Sequence, residues 1–238
     1  MLTHIHSEAD LDAALDRLTQ AEPRFGALIG EAGRPPLRRR DGGFAGLAAT
    51  VVSQQLSTAS AGAIWGRLAA AFDPLDPAAI VKARAEKLAR LGLSRPKIKA
   101  LKEIARAVIA GRLALATLAD IDADAAHAAL TAVHGIGPWT ADIYLLSCLG
   151  HADAWPAGDL ALQEAVRLAF GLAARPTAKE MIRLAEPWRP FRAVAARVLW
   201  TYYRAVKGRE GAPAVTRILP KPSAKRRANG RRIRRSKA

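Results

Sequence analysis

The segment that ends at Asp159 combines residue types and spacing that could do chemistry. Asp159 closes the run Trp155-Pro156-Ala157-Gly158 and directly precedes an apolar-periodic stretch that begins at Leu160. A carboxylate in such a loop can stabilise positive charge in a transition state, or orient and deprotonate a water molecule. An aspartate directly before a helix is also an ordinary N-cap. Both roles stay open for Asp159, and one side chain can fill both.

A glycine-rich turn lies ahead of this aspartate, with Gly137 placed 22 positions before Asp159. Residues 135–138 read Gly-Ile-Gly-Pro between two stretches with helical periodicity. Glycine permits positive φ and close backbone approach, Ile136 can pin the turn in the core, and proline suits the first turn of a helix. Outward N–H groups at a positive helix end suit one DNA phosphate. The residues expected at this phosphate site are Gly135, Gly137, Trp139 and Thr140. A plain helix-turn-helix corner is the alternative.

The elements that must position these residues are predicted to be almost entirely helical. Alanine and leucine dominate the chain, and amphipathic stretches recur between Gly, Pro and Asp. Ser7 and Asp10, like Thr177 and Glu180, have the spacing of a capping box. Loops are expected at 33–43 and 150–158. The predicted helices run from Ser7 toward Thr19, and then over 44–54, 58–72, 77–91, 96–110, 123–133, 138–149, 160–171, 178–186 and 190–206.

Charge indicates a polyanionic partner. The net charge is +16, which favours nucleic acid or an anionic membrane. Residues 207–238 carry twelve of the Lys and Arg residues against one acid, so this tail is expected to be disordered and to bind phosphate without sequence preference. Arg95, Lys97, Lys99 and Lys102 form a second basic cluster, which is interpreted as solvated surface.

Several classes of protein are excluded by composition. No apolar run approaches the ~20 residues of a membrane span, and the N-terminus does not resemble a signal peptide. Cys148 is the single cysteine, which excludes an internal disulfide and four-cysteine zinc or iron–sulfur sites. The five histidines show no metal-ligand spacing, so no catalytic metal is expected. A cytoplasmic, DNA-associated monomer is the expectation.

Four motifs, in this order, resemble the helix-hairpin-helix DNA glycosylase superfamily, and most of all its 3-methyladenine DNA glycosylase II (alkylbase DNA glycosylase) family. They are residues 52–57 (Val-Ser-Gln-Gln-Leu-Ser), the hairpin at 135–141, the aspartate loop at 155–163, and residues 188–203. The resemblance covers roughly residues 44–206. It implies an all-α, two-lobed fold with the active-site cleft between the lobes. The larger family members have a β-rich domain ahead of the helical part, but here only about 43 residues precede the first matching helix, so no N-terminal β domain is expected. Lobe one would be 44–150, and lobe two would be 1–43 plus 151–206.

The same resemblance implies a function and a set of roles. The chain would be a monofunctional DNA glycosylase that flips alkylated purines out of duplex DNA and hydrolyses their N-glycosidic bond in base-excision repair. Asp159 resembles the catalytic carboxylate of the family. Trp139 stands where bifunctional relatives have a Schiff-base lysine, so no lyase step is expected. No cofactor is implied beyond a structural monovalent cation on hairpin carbonyls.

Aromatic residues are expected to bind the cationic base by stacking and cation–π contact. The pocket candidates are Trp139, Trp200, Trp155 and Tyr144. For Tyr144 a core position is favoured, since the family's pocket tyrosine falls at Ile143. Gln55 or Leu56 would be the wedge that replaces the flipped base in the stack. The alternative is that Leu56 ends a core helix.

Three other functions stay open from the sequence. One is a DNA-binding protein that keeps the hairpin without the chemistry. Another is a glycosylase for a different damaged base, although relatives with that role often carry a four-cysteine cluster that this chain lacks. The last is a basic RNA-binding protein. The preferred lesion, whether 3-methyladenine, 7-methylguanine or hypoxanthine, depends on pocket shape and is left open.

Overall fold

The computed structural model describes residues 2–208 and Gly211, and this part of the chain is built from helices. Strand pairing among these residues is limited to one β-bridge, between His4 and His151. The all-α prediction is therefore confirmed. The helices are α1 (Glu8–Ala21), α2 (Arg24–Ala32), α3 (Gly43–Ser53), α4 (Thr58–Ala71), α5 (Pro77–Lys82), α6 (Ala85–Arg90), α7 (Arg95–Ile109), α8 (Ala123–Thr131), α9 (Pro138–Tyr144), α10 (Leu160–Ala169), α11 (Ala178–Ala185) and α12 (Arg192–Lys207).

Two short irregular helices complete the fold. Leu145–Leu149 continues α9 as a π-helical turn, and Glu186–Trp188 forms a 3₁₀ turn before α12. Nearly all of the predicted basic tail lies outside the described residues. Of the helices in residues 2–208, none combines the length and the apolar character that a membrane span requires.

Capping side chains start the helices where the sequence predicts. The side chains of Ser7 and Thr177 each accept the backbone N–H at N3, and the backbone N–H of each donates to the acidic side chain at N3, which is Asp10 or Glu180. Both capping boxes are therefore confirmed. Asp76 and Asp122 cap α5 and α8 by accepting the backbone N–H of an alanine at N3, which has no side-chain acceptor to return the contact. Helix α2, between Pro23 and Gly33, was not predicted.

The single helix predicted at 77–91 is wrong, because the structure has α5 and α6 with a break at Ala83 and Arg84. The ammonium of Lys102 on α7 donates to the carbonyls of Val81, at 3.3 Å, and Ala83, at 2.6 Å. Ala83 adopts extended backbone at φ −62° and ψ 135°. A distant side chain thus satisfies the carbonyls at the end of α5, and apolar periodicity gives no sign of it.

Two sets of helix contacts organise the core. Helix α3 packs on α4, α7 and α9, while α12 packs on α1, α2 and α10. The N-terminal segment is bound to the loop after α9, since the Ile5 N–H donates to Gly150 O at 2.7 Å and the Ala152 N–H to Thr3 O at 2.9 Å. The division into lobes at 44–150 and at 1–43 plus 151–206 stays a prediction.

A buried arginine ties the start of α12 to the loop before α10 and to α8. Arg192, 5% exposed, forms a two-pronged ion pair with Asp153, with both N–O distances at 2.8 Å. Its guanidinium also reaches Asp124 on α8 at 3.3 Å. Removing Arg192 would take two charge-assisted hydrogen bonds from the Asp153 carboxylate, which would keep Arg189, at 2.6 Å, as an ion-pair partner. Hydrogen bonds to charged groups contribute about 1.5 to 3 kcal/mol each.

We therefore expect Arg192→Met to lower the free energy of unfolding by about 3 kcal/mol. Arg34→Met is the matched control, because Arg34 also pairs with two carboxylates, Glu8 and Asp12, but in an exposed position. Its cost should stay below about 1 kcal/mol. Urea unfolding at neutral pH measures both. Equal costs for the two variants would contradict the expectation.

Candidate active site

The carboxylate of Asp159 is buried at the point where α9, α10 and α12 meet. Asp159 is 7% exposed and is the N-cap of α10, where Oδ1 accepts the Leu162 N–H at 2.9 Å. The indole N–H of Trp139 donates to Oδ2 at 2.8 Å, and that of Trp200 donates to Oδ1 at 3.3 Å. The helix cap uses Oδ1 alone, and Oδ2 is held by Trp139, so the geometry is compatible with both a capping and a catalytic role for Asp159.

Two opposing effects set the charge of this carboxylate. Burial is the larger, and it raises the pKa of Asp159 above its ordinary value. Hydrogen bonds from Trp139, from the Leu162 N–H and from Trp200 favour the ionised form and lower the pKa in opposition. The result is a desolvated carboxylate held by neutral donors, which is an environment that strengthens its interaction with any nearby positive charge.

The glycine hairpin adopts the conformation that its sequence predicts. Gly135 has φ +99°, Ile136 is 4% exposed, and Pro138 is the first residue of α9 after the N-cap Gly137. A Cβ on Gly135 would lie 2.8 Å from both Cα and Cβ of Ala100, so the turn lies against α7. No side chain caps the N-terminus of α9.

Trp139 joins this hairpin to Asp159. It is the second residue of α9, so its backbone belongs to the hairpin end of the helix, while its indole reaches the carboxylate. Its side chain is half-buried and packs on the core. Thr140 beside it is 2% exposed, and its hydroxyl accepts the side-chain N–H of Gln54 at 2.6 Å.

The wedge candidates lie in the turn between α3 and α4. Gln55 is exposed and has φ +54°, which is unusual for a residue with a side chain. Leu56 is 38% exposed, a large apolar side chain at the surface of this turn. The alternative in which Leu56 ends a core helix is wrong, because α3 ends at Ser53.

Two predicted pocket aromatics lie in the core instead. Trp155 is 5% exposed, donates its indole N–H to Met181 O at 3.1 Å, and meets Trp188 edge to face at 5.5 Å between ring centroids. Tyr144 is fully buried, with its hydroxyl 3.4 Å from Gly43 O. Trp200 is equally buried, at 5% exposed, but its indole N–H reaches Asp159. For Trp155 the pocket prediction is corrected to a core role, and for Tyr144 the favoured core position is confirmed.

The sequence did not single out the side chains that support the site. Gln163 is buried and donates to Ala157 O at 2.9 Å, which fixes the loop ahead of Asp159. Lys97 donates to Gln54 O in the turn that carries the wedge candidates, and the side chain of Gln54 joins this turn to Thr140. No residue pattern shows which carbonyl a glutamine or lysine will reach, so only the fold reveals these roles.

The fold, the hairpin and the held carboxylate together define a helix-hairpin-helix protein with an acidic site. The chain belongs to the HhH-GPD superfamily of base excision DNA repair proteins, whose family model matches residues 48–190.

Similar proteins agree with this assignment. The alkylbase DNA glycosidase-like protein mag2 of Schizosaccharomyces pombe is 24% identical over 81% of this chain and 94% of its own length. DNA-3-methyladenine glycosylase 1 of the same yeast is 32% identical, over 63% of this chain and 68% of that protein. The solved structure of its 3-methyladenine DNA glycosylase Mag1 with abasic DNA has a TM-score of 0.72 at 28% identity, covering 82% of this chain and 97% of that one. Several bacterial relatives are longer, and the chain spans between 37% and 43% of their length.

The close contact of the hairpin with α7 makes Gly135 a sharp test of its geometry. Gly135→Ala should lower the free energy of unfolding by about 3 kcal/mol, from an unfavourable φ together with the clash against Ala100. Gly111→Ala is the matched control, since Gly111 has φ +69° with nothing near its Cβ position, and should cost about 1 kcal/mol. Denaturant unfolding compares them. Equal costs would mean that the hairpin does not pack on α7 as described.

Proposed function

We propose that this protein is a monofunctional DNA glycosylase that hydrolyses the N-glycosidic bond of alkylated purines in duplex DNA. The observation that carries the proposal is the buried carboxylate of Asp159, which accepts hydrogen bonds from Trp139 and Trp200. Trp139 lies on α9, the helix that begins at the glycine hairpin. Membership of a base excision repair superfamily supports it, as do relatives named as 3-methyladenine DNA glycosylases.

The chemistry follows from the position of that carboxylate. A base within a duplex must be rotated out of the stack before its glycosidic bond can be reached. As the bond breaks, positive charge develops on the sugar, and a desolvated carboxylate nearby stabilises it. Asp159 is also suited to orient the water that attacks the sugar. The two indole N–H groups keep its oxygens fixed and favour the ionised form that both tasks need.

Water is the proposed nucleophile because Trp139 has no amine. A lyase step through a Schiff base requires a primary amine at the sugar. Here the side chain that follows the hairpin ends in an indole, whose N–H is already bonded to Asp159. The half-buried ring of Trp139 is the proposed stacking surface for a cationic base, with Trp200 behind the carboxylate.

DNA is the proposed partner, bound by a monomer at the hairpin and at the wedge turn. The backbone N–H groups at the start of α9 would hold one phosphate. The turn with Gln55 and Leu56 would fill the gap in the stack, since a flat or apolar side chain can replace lost base contacts. A structural monovalent cation at the hairpin also stays a proposal. The Val133 carbonyl, which accepts the Ile136 N–H at 3.0 Å, keeps a second lone pair that suits such an ion.

Asp159→Asn should abolish base release while the protein stays folded. Asparagine caps helices as well as aspartate does, but it is neutral and cannot stabilise the sugar cation. We expect the excision rate from methylated duplex DNA to fall about 10³-fold, measured by chromatography of the released bases under single-turnover conditions.

Asp76→Asn is the matched control, because Asp76 caps α5 through the Ala79 N–H and lies in another part of the fold. Its excision rate should be that of the unmodified protein. If the unmodified protein releases no base but binds DNA, the glycosylase proposal fails and a binding role replaces it.

Trp139→Phe should move the acidic limit of activity to higher pH. The indole N–H lowers the pKa of Asp159, so its removal raises that pKa and leaves less carboxylate at a given pH. Activity would therefore disappear earlier as the pH falls, while the aromatic ring is kept. Excision rates across a pH series measure the shift. Trp155→Phe is the control, since its indole N–H bonds to Met181 O, and an unshifted limit in both variants would contradict the assigned role.

A further inference from the structure

The turn that carries Gln55 and Leu56 is held in place by side chains from two other helices. The ammonium of Lys97 on α7 donates to Val52 O at 2.7 Å and to Gln54 O at 2.8 Å. The side chain of Gln54, in the turn itself, donates to the Thr140 hydroxyl on α9 at 2.6 Å. These contacts bridge 43 to 86 residues of sequence, so they are properties of the tertiary fold.

The turn needs such support because its backbone is not intrinsically stable. Gln55 is held at φ +54°, in the left-handed region that a residue with a side chain enters at a cost. The carbonyls at the end of α3 lack partners within the helix and carry the negative end of its dipole. The half-buried ammonium of Lys97 donates to Val52 O in the last turn of α3 and to Gln54 O just after it. It therefore gives these carbonyls a partner and places a positive charge at the negative end of the helix.

We propose that Lys97 is a positioning residue for the DNA wedge, and that Gln54 couples the wedge turn to the hairpin helix. Lys97 fixes the turn so that Gln55 and Leu56 project from it as a rigid unit, ready to enter the base stack. The Gln54 contact with Thr140 joins that unit to the beginning of α9, where the phosphate would be gripped. This proposal rests on the proposed function, because a wedge is needed only when a base is flipped.

Rigidity is the physical reason that the role matters. A wedge stabilises the flipped state by replacing the stacking contacts that the flipped base has lost. If the turn that carries the wedge is mobile, part of this free energy is lost because the turn must become ordered on insertion. A rigid wedge should therefore increase the excision rate most for a lesion in a stable base pair, where flipping costs the most free energy. The increase should be smallest for a lesion that has no base opposite it, because no base pair must then be broken.

The test compares Lys97→Met with Lys102→Met. Both lysines lie on α7, and both donate to two carbonyls at the end of another helix, but the acceptors of Lys102 belong to α5 and are remote from the wedge turn. Excision is measured under single-turnover conditions for one alkylpurine, either paired or placed opposite an abasic site. Lys97→Met should slow the paired reaction about tenfold and the unpaired one about twofold or less, while Lys102→Met changes neither.

A second readout does not need catalysis. In duplex DNA with an abasic-site analogue opposite 2-aminopurine, insertion of a wedge changes the fluorescence of that base. At saturating concentrations, the unmodified protein and Lys102→Met should give the same change in fluorescence, and Lys97→Met should give a clearly smaller one. Gln54→Leu, which removes the contact with Thr140 and keeps Lys97, should shift both readouts in the direction of Lys97→Met.

The outcomes separate this inference from the proposed function. Equal slowing of the two reactions by Lys97→Met would mean that Lys97 only stabilises the fold, and an unchanged fluorescence response would mean that it does not position a wedge. Either result overturns the inference and leaves the glycosylase proposal intact. If the unmodified protein excises nothing, the glycosylase proposal fails, and the fluorescence comparison alone decides the role of Lys97. Without any fluorescence change in the unmodified protein there is no wedge, and the inference fails as well.

Discussion

Burial of one carboxylate is the constraint on which the arrangement of the helices depends. A charge removed from water is strongly destabilising unless hydrogen bonds compensate for the lost solvation, and Asp159 obtains them from three places. Trp139 comes from α9, the Leu162 N–H from α10, and Trp200 from α12. Segments 20 to 41 residues away must therefore converge within hydrogen-bond distance. The packing of α12 on α10 and the ion pair of Arg192 with Asp153 support that convergence.

The surrounding core makes this convergence rigid. Trp188 lies at the centre of an aromatic cluster in which Phe25, Trp155 and Phe170 surround it with ring centroids 5.0 to 5.5 Å away. Aromatic pairs at these separations contribute beyond their buried area. The loop that leads to Asp159 begins at Trp155, so one end of the loop is anchored in this cluster and the other is the cap of α10. A chain with thirteen Phe, Trp and Tyr residues thus uses four of them in one cluster that anchors this loop.

Local chemistry made much of the fold predictable. Both capping boxes, the hairpin with Pro138 at the start of α9, and the helical class follow from residue types and spacing alone, and the structure confirms them. Asp159 and Trp139 were proposed from a resemblance, and the structure brings them within 2.8 Å. The failures concern tertiary contacts. Trp155 has the residue type of a pocket aromatic, but whether a side chain in a loop is buried depends on the elements that pack around it. Lys97 and Lys102 looked like solvated charges, yet each satisfies carbonyls of a remote helix.

The double role of Trp139 has a consequence for where a reaction would occur along a DNA strand. Its backbone lies at the end of the hairpin, and its side chain contacts the acid, so a single residue spans the distance between the two. Under the proposed function, the phosphate bound at the start of α9 and the sugar attacked beside Asp159 would be separated by about the span of the Trp139 residue. The spacing between them would then be set by one side chain and by its hydrogen bond to Asp159. The nucleotide presented to the acid would therefore lie a fixed number of positions from the phosphate bound at the hairpin.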